Sequence, residues 1–183
     1  VLSNIIARHM IEDFSVPHER IRLIPRSVDP DKFKYISPKE KRGGYFNVGI
    51  IGRITPIKGH LVFIKAMARV AKVVSSLKIW IVGDAPQSRQ AYKEQIQVLV
   101  RRLGLDHSTE FLGVQKNIPQ ILSHLDLLVL ATTTHEAFGR VIIEAQAAGV
   151  PVVATKVGGV VDIIEDEKNG LLVSPSDPKG MAS

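Results

Sequence analysis

The chain has 183 residues, of which 45% are hydrophobic and 23% charged, and it contains no cysteine. This length suits one domain with a substantial core, or one domain plus a fragment of another, and the cysteine count excludes disulfides and thiolate metal sites. The net charge of +6 is uneven, because residues 47–104 carry ten basic and two acidic side chains. Such a stretch indicates an anionic ligand, a membrane surface, nucleic acid or a solvated helix face.

The first 36 residues are expected to hold a helix at residues 4–14, a strand at 21–25 and a turn at 27–33. Asp29 and Asp31 have the Asp-x-Asp spacing of some metal sites, but the proline between them favours a turn. Residues 37–46 contain lysine, glycine and proline, which predicts an interdomain linker. We interpret residues 1–36 as the tail of a preceding domain and 47–183 as the main domain, which ends where another helix begins.

From residue 46 onward, strand-like and helix-like segments alternate. Short apolar runs predict strands at residues 46–52, 77–83, 109–113, 125–131, 150–155 and 170–173. Apolar residues at helical spacing predict helices at residues 59–74, 92–103, 118–122, 139–148 and 160–165. The alternation predicts an α/β fold, a doubly wound parallel sheet of right-handed β-α-β units. Ligands of such sheets bind in the loops that follow the strands.

The loop at residues 52–59, GRITPIKG, is the first candidate site. Gly52 opens it, and a glycine there lets the backbone approach a phosphate closely while the following helix start attracts anions. Arg53 and Lys58 add two cations. The sequence lacks the Gly-Lys-Ser/Thr ending of a P-loop. The alternative is an ordinary turn with two solvated cations.

The segment at residues 132–149, TTTHEAFGRVIIEAQAAG, is the second candidate. Its helix is apolar nearly all round, so Glu144 is expected to be buried and to need a partner. Arg140 lies four residues earlier on the same face and is one possible partner. The other is a vicinal diol such as a ribose, since an ionised carboxylate only accepts hydrogen bonds.

Glu136 lies in the loop before this helix, where free backbone N–H groups can meet a phosphate or sugar oxygen. Gly158 and Gly159 form a further loop that allows close approach to an anion. Asp84 follows the second strand, either as a ligand contact or as a simple turn residue. The histidines are scattered, so no metal site is expected.

Five segments together resemble the family 4 retaining glycosyltransferases over about residues 16–183: GRITPIKG, IVGDA, FLG, DLLVLATTTHEAFGRVIIEAQAAGVPVVATKVGG and NGLLVSPSDP. The segment IPRSVDPDKF resembles the region where that family's first domain ends. The resemblance implies the GT-B fold, in which two Rossmann-like domains face each other across a cleft. This chain resembles the second domain, which binds the nucleotide-sugar donor.

The resemblance also implies roles for individual residues. Arg53 and Lys58 would bind the diphosphate, Glu144 the ribose hydroxyls, and Glu136 the donor sugar. The backbone of Ala137, Phe138 and Gly139 would lie beside the sugar. Gly83 and Asp84 would approach the base and ribose. No metal or other cofactor is implied, and Asp162 stands where the family often has glutamate.

The implied activity is transfer of a sugar from a nucleoside-diphosphate sugar to an acceptor glycan, lipid or polysaccharide precursor of the cell envelope. The acceptor would bind mainly through the first domain, so the chain alone is expected to bind donor with little turnover. A cytoplasmic location, with possible peripheral contact to the inner face of the membrane, is expected. Alternatives are a nucleotide-sugar-binding module without activity, a sugar-nucleotide epimerase, or a basic membrane- or nucleic-acid-binding domain. Nucleic acid is the weaker partner, because aromatic residues make up only 5%.

Overall fold

The computed structural model describes residues 1–33 and 44–183. Within them, six strands form one sheet: β1 Phe46–Ile51, β2 Leu77–Val82, β3 Thr109–Gly113, β4 Leu127–Leu130, β5 Val152–Thr155 and β6 Leu171–Val173. The α-helices in the same residues are α1 Asn4–Glu12, α2 His60–Val70, α3 Gln90–Arg102, α4 Ile118–His124 and α5 Arg140–Ala147. Each of these strands and helices lies in or overlaps a segment predicted for its type.

The sheet is parallel throughout, with the strand order β3-β2-β1-β4-β5-β6. The chain proceeds outward from β1 to β3, then returns to the centre and places β4 against the other side of β1. This reversal confirms the doubly wound α/β fold. It also fixes a switch point between β1 and β4, where the loops that follow the two strands turn to opposite faces and leave a crevice.

Two hydrophobic clusters pack on the two faces of the sheet. The first contains buried side chains of α2 and α3, such as Phe63 and Ile96, and the second contains those of α4 and α5, such as Leu122 and Ile142. Strand β4 contributes to both clusters, because successive side chains of a strand point to opposite faces. The core therefore holds β1 and β4 rigidly beneath the crevice.

Residues 1–33 pack against the same domain. The backbone N–H of Asn4, at the start of α1, donates to Asp162 Oδ2 at 2.6 Å. Phe33 is buried in the second hydrophobic cluster. The turn predicted near Asp29 is present, since Asp29 Oδ1 accepts from the backbone N–H of Asp31 at 3.1 Å. Most of the predicted linker, residues 37–46, lies outside the described residues.

One predicted element is wrong, and a second is shifted by two residues or more. Residues 21–25 are not a strand, because this segment has no neighbouring strand to pair with; its Ile24 N–H donates to Val1 O, and the Ile24 side chain is 68% exposed. The helix predicted at residues 160–165 is instead a 3₁₀ helix at Gly158–Asp162. The apolar pattern there reflected burial against α5 and α1, and it was too short to distinguish an α-helix from a tighter turn.

Candidate functional site

The carboxyl ends of β1, β2 and β3 are joined by backbone contacts that set two predicted residues, Gly52 and Gly83, side by side. Gly52 N–H donates to Val82 O at 2.9 Å, and Gly83 N–H donates to Gly113 O at 2.8 Å. Gly83 has φ +125°, and a Cβ there would lie 2.0 Å from the carbonyl oxygen of Gly52. Only glycine tolerates this approach, so Gly83 keeps the two loop starts in contact.

The loop after β1 is also fastened to the loop after β4, across the switch point. Thr133 N–H donates to Ile57 O at 2.8 Å. A Cβ on Gly59 would lie 1.8 Å from the carbonyl oxygen of Ala131, and the φ of Gly59 is +69°. The two predicted candidate loops are therefore one continuous surface at the crevice.

Lys58 and Glu136 meet on that surface. Lys58 Nζ donates to Glu136 Oε2 at 2.5 Å, and Thr132 Oγ1 donates to the same oxygen at 3.1 Å. The side chains of Lys58 and Glu136 are 28% and 12% exposed. Among the described residues, Glu136 Oε1 accepts no hydrogen bond, so one carboxylate oxygen is held in place and the other is available to a ligand.

Arg53 differs from Lys58 in having no protein partner. It is exposed, and it makes no hydrogen bond or ion pair with any residue in the described ranges. Its position directly after Gly52 places it at the carboxyl end of β1. A guanidinium in this state is available to bind an anion.

The backbone of Glu136 is fixed by the glycine pair at the start of the 3₁₀ helix. Gly159 N–H donates to Glu136 O at 2.7 Å. Gly158 has φ +54°, and a Cβ there would lie 2.0 Å from the same carbonyl oxygen. These glycines therefore support the Glu136 loop in this structure, where the sequence suggested direct approach to an anion.

The next three residues lead into α5. Within the described chain, the backbone N–H groups of Ala137, Phe138 and Gly139 donate no hydrogen bond. The Phe138 side chain is buried, so this residue offers a ligand its backbone alone. Gly139, with φ +85°, immediately precedes α5, so these N–H groups lie at the helix start, where anions are favoured.

Glu144 is buried in α5, as its apolar neighbours predicted. Its Oε1 accepts from Arg140 Nε at 2.7 Å, so the local ion pair that the sequence suggested forms in this structure. The Glu144 side chain is 10% exposed and that of Arg140 is 59% exposed. Glu144 Oε2 has no hydrogen-bond partner among the residues of the described ranges, which leaves one oxygen available for a diol.

A sequence family with the description "Glycosyl transferases group 1" matches residues 45–183, which is most of the chain. This chain belongs to the group 1 glycosyltransferases. It is 30% identical to a D-inositol 3-phosphate glycosyltransferase of Segniliparus rotundus, over 94% of this chain and 40% of that protein.

Two solved structures are similar to this group 1 glycosyltransferase chain. Anabaena HepE in complex with UDP-glucose has 31% identity and a TM-score of 0.88, covering 98% of this chain and 50% of that one. The C-terminal domain of LpcC, a group 1 glycosyltransferase of Francisella tularensis, has 32% identity and a TM-score of 0.77, covering 85% and 84%. The chain spans less than half the length of the curated relative, and its fold is that of a GT-B glycosyltransferase domain.

A cavity of about 470 Å³ lies between α1 and the Glu136 loop of this group 1 glycosyltransferase. One wall is α1, including Arg8 and His9, and the other contains His135, Glu136 and Ala137. Glu144, eight positions after Glu136 in the sequence, is not among the residues that line this cavity. Of the two predicted carboxylates, Glu136 therefore lines this cavity and Glu144 does not.

Two ionisable groups near the loops have shifted pKa values. Burial, opposed by a backbone hydrogen bond with Thr55 and assisted by the neighbouring charge of Lys58, lowers the pKa of His60 to about 4. The Lys93 ammonium, which donates to Asp84 Oδ1 at 2.8 Å, holds the pKa of Asp84 below its usual range, with the Ala85 N–H acting in the same direction. Asp84 is thus a charged turn residue with one oxygen already engaged.

Three contributors were missed or left aside in the sequence. Thr132 positions Glu136, and its own carbonyl accepts from Thr155 Oγ1 at 2.6 Å. His60 lies fully buried beneath the first loop. Asp162 binds the start of α1 in spite of being shorter than glutamate. In the sequence, only their positions beside strand-end loops could have pointed to these three residues.

Among residues 1–33 and 44–183, no cluster of three acidic or histidine side chains could hold a metal ion.

Proposed function

We propose that this chain is the donor-binding part of a retaining glycosyltransferase that uses a nucleoside-diphosphate sugar. The observation that carries the proposal is the meeting of Lys58 and Glu136 at the switch point, 2.5 Å apart, next to loops drawn together by glycine contacts. A fixed cation and a fixed carboxylate at one point suit a ligand that has both a phosphate and a hydroxylated sugar.

In this proposal the diphosphate binds between Arg53, Lys58 and the free backbone N–H groups before α5. Negative charge develops on the diphosphate as the sugar leaves, and cations and N–H groups that are already in place stabilise that charge without reorganisation. Lys58 keeps its contact with Glu136 Oε2 and directs its remaining N–H donors to the phosphate. No step requires a metal ion or another cofactor.

Glu136 Oε1 would then accept hydrogen bonds from the donor sugar, and Glu144 Oε2 from the ribose. Both assignments rest on oxygens that the protein leaves without a partner while the other oxygen of the same carboxylate is anchored. Gly52, Gly83 and Asp84, at the ends of β1 and β2, would contact the base and ribose. UDP is the first nucleotide to test, because the similar structure of HepE contains UDP-glucose.

Calorimetric titration with UDP, GDP and ADP, and with their common sugars, tests the donor site. We expect one diphosphate to bind, and Glu144→Ala to bind it at least about tenfold more weakly, since a hydrogen bond to a charged group contributes about 1.5–3 kcal/mol. Glu94→Ala, an exposed carboxylate on α3, is the matched control and should bind as the parent does. Absence of binding at millimolar nucleotide would overturn the proposal, and equal binding by Glu144→Ala would remove the ribose assignment.

The proposal extends to the acceptor and the cellular setting. The name of the relative from Segniliparus rotundus contains inositol 3-phosphate, a phosphorylated polyol, which supports an anionic acceptor in this proposal. Transfer to a cell-envelope glycan or lipid precursor, in the cytoplasm and in peripheral contact with an anionic membrane, fits the basic stretch at residues 47–104. Within the described residues, no helix is both long and apolar enough to cross a membrane.

A purely electrostatic membrane- or nucleic-acid-binding domain makes a different prediction. Its binding would fall steeply with salt and would hardly change on Arg53→Gln or Lys58→Gln. The donor-site proposal expects those two substitutions to weaken binding of the nucleoside diphosphate strongly. It also expects the chain alone to bind donor with little transfer, so robust transfer without any added partner would contradict that part.

A further inference from the structure

A pocket of about 400 Å³ lies between residues 24–27 and the start of α5, outside the residues assigned to the donor. Its described lining consists of Leu2, Ile24, Pro25, Arg26, Ser27 and Arg140. Two of these six residues are arginines and none is acidic. A concave surface with two guanidiniums and no carboxylate on its lining has the charge of an anion site.

Arg140 is held in a way that leaves most of its donors available. A guanidinium has five N–H donors, and the Nε–H of Arg140 is the one that binds Glu144 Oε1, at 2.7 Å. Its terminal amino groups donate to no residue in the described ranges, although the side chain lines the pocket. The Glu144 contact therefore orients the guanidinium without using the pair of N–H groups that recognises an oxyanion.

Arg26 is the second cation of the pocket. It is exposed, and it forms no hydrogen bond or ion pair with residues 1–33 or 44–183. Two guanidiniums around one pocket repel each other, and an anion between them removes that repulsion while filling their hydrogen-bonding capacity. Ser27, on the same wall, adds a hydroxyl that can donate a further hydrogen bond.

We propose that Arg26 and Arg140 form a second oxyanion site, which binds the phosphate or carboxylate group of an anionic acceptor. The inference rests on the proposed function, because it takes the donor to occupy the loops after β1 and β4. Glu144 then stands between the two ligands, with Oε1 on Arg140 and Oε2 toward the ribose. The acceptor's charged group is anchored one side chain away from the donor.

The experiment uses the chain saturated with UDP, so that the diphosphate site is already filled. Inorganic phosphate is titrated in one series and malonate in another, and the side-chain Nε–H signals of arginine are followed by NMR. We expect the Arg140 signal, identified by its loss in Arg140→Gln, to shift saturably with at least one of the two anions. A stronger response to phosphate assigns a phosphate group to the acceptor, and a stronger response to malonate assigns a carboxylate.

Arg26→Gln and Arg140→Gln should each weaken anion binding about tenfold, because each removes charge-assisted hydrogen bonds to the anion. Arg69→Gln, an exposed arginine on α2, is the control and should bind the anion as the parent does. Unchanged anion affinity in both pocket variants, or equal loss in the control, overturns the second site. UDP affinity is measured separately on each protein, and Arg26→Gln should retain it. Absence of UDP binding by the unsubstituted chain would instead count against the proposed function.

Discussion

The loop at residues 132–139 and helix α5 adjoin each other, and each carries one carboxylate that is paired with one cation. Glu136 in the loop pairs with Lys58, which lies 78 positions earlier in the chain. Glu144 in the helix pairs with Arg140, four positions away on the same helix. The loop pair exists only when β1 and β4 stand side by side, whereas the helix pair needs a single helical turn. Substitutions that disturb the Lys58–Glu136 pair and its loop should therefore destabilise the whole domain. Substitutions that disturb the Arg140–Glu144 pair should have only local effects.

The largest effect is expected from Gly158→Ala, which pushes a methyl group against the carbonyl oxygen of Glu136. That contact, 2.0 Å in the present backbone, has to open, and alanine is also strained at φ +54°. We expect a loss of about 3 kcal/mol in the free energy of unfolding, from overpacking and left-handed strain together, measured by urea denaturation. Gly104→Ala is the matched control, because Gly104 has φ +69° and no atom within 4 Å of the added Cβ. Equal losses in the two variants would show that the Glu136 loop does not depend on this contact.

His60, the first residue of α2, lies two positions after Lys58 and makes the stability of the domain depend on pH. Its pKa in the folded protein, about 4, is below the ordinary value of 6.5, so protonation favours the unfolded chain. The contribution of His60 to the free energy of unfolding should be constant above pH 6.5 and should fall, by up to about 3 kcal/mol, as the pH drops toward 4. Below pH 4 this contribution levels off, because the folded form then takes up the proton as well. Urea denaturation at pH 7 and pH 4.5 measures the fall, which His60→Phe should reduce. An unchanged pH dependence in that variant would contradict the assignment.

Lys58→Met removes the partner of Glu136 while keeping a similar length of side chain. We expect the free energy of unfolding to fall by about 1–3 kcal/mol, because a largely buried carboxylate loses its cation, and UDP binding to weaken at least about tenfold. The double variant Lys58→Met/Glu136→Gln should regain part of the stability but none of the UDP affinity. Equal stability of the single and double variants would mean that the two side chains are not coupled.

The smallest effect on stability is expected from a substitution in the Arg140–Glu144 pair of α5. Arg140→Gln removes a cation that is mostly exposed, and the glutamine amide nitrogen, which is bonded to Cδ as Arg140 Nε is, can still donate to the buried Glu144 carboxylate. The order of the two charges along the helix is also the less favourable one. We expect a change in the free energy of unfolding of no more than about 0.5 kcal/mol. A loss of stability as large as that caused by Lys58→Met would contradict the difference expected between the Lys58–Glu136 and Arg140–Glu144 pairs.

The sequence predicted most of the fold, because its apolar runs and amphipathic segments have clear periods. It failed at residues 21–25, where an extended apolar segment lacks a neighbouring strand. At residues 160–165 it placed a short helix correctly but gave neither its bounds nor its 3₁₀ type. It predicted the Arg140–Glu144 contact, which depends on spacing along one helix. The Lys58–Glu136 contact and the support of Glu136 by Gly158 and Gly159 were beyond it, since these depend on which strands become neighbours.

The strand order that sets β1 beside β4 has a further consequence. Residues 53–58 and 132–136 are far apart in the unfolded chain, so the proposed donor site does not exist there and ligand can bind only the folded form. Any nucleotide that binds must then raise the midpoint temperature of thermal unfolding. At a concentration 100 times its dissociation constant, it adds about 2.7 kcal/mol to the free energy of unfolding. A thermal shift assay over a panel of nucleotides would thus report ligand identity through the folding equilibrium itself, without any acceptor present.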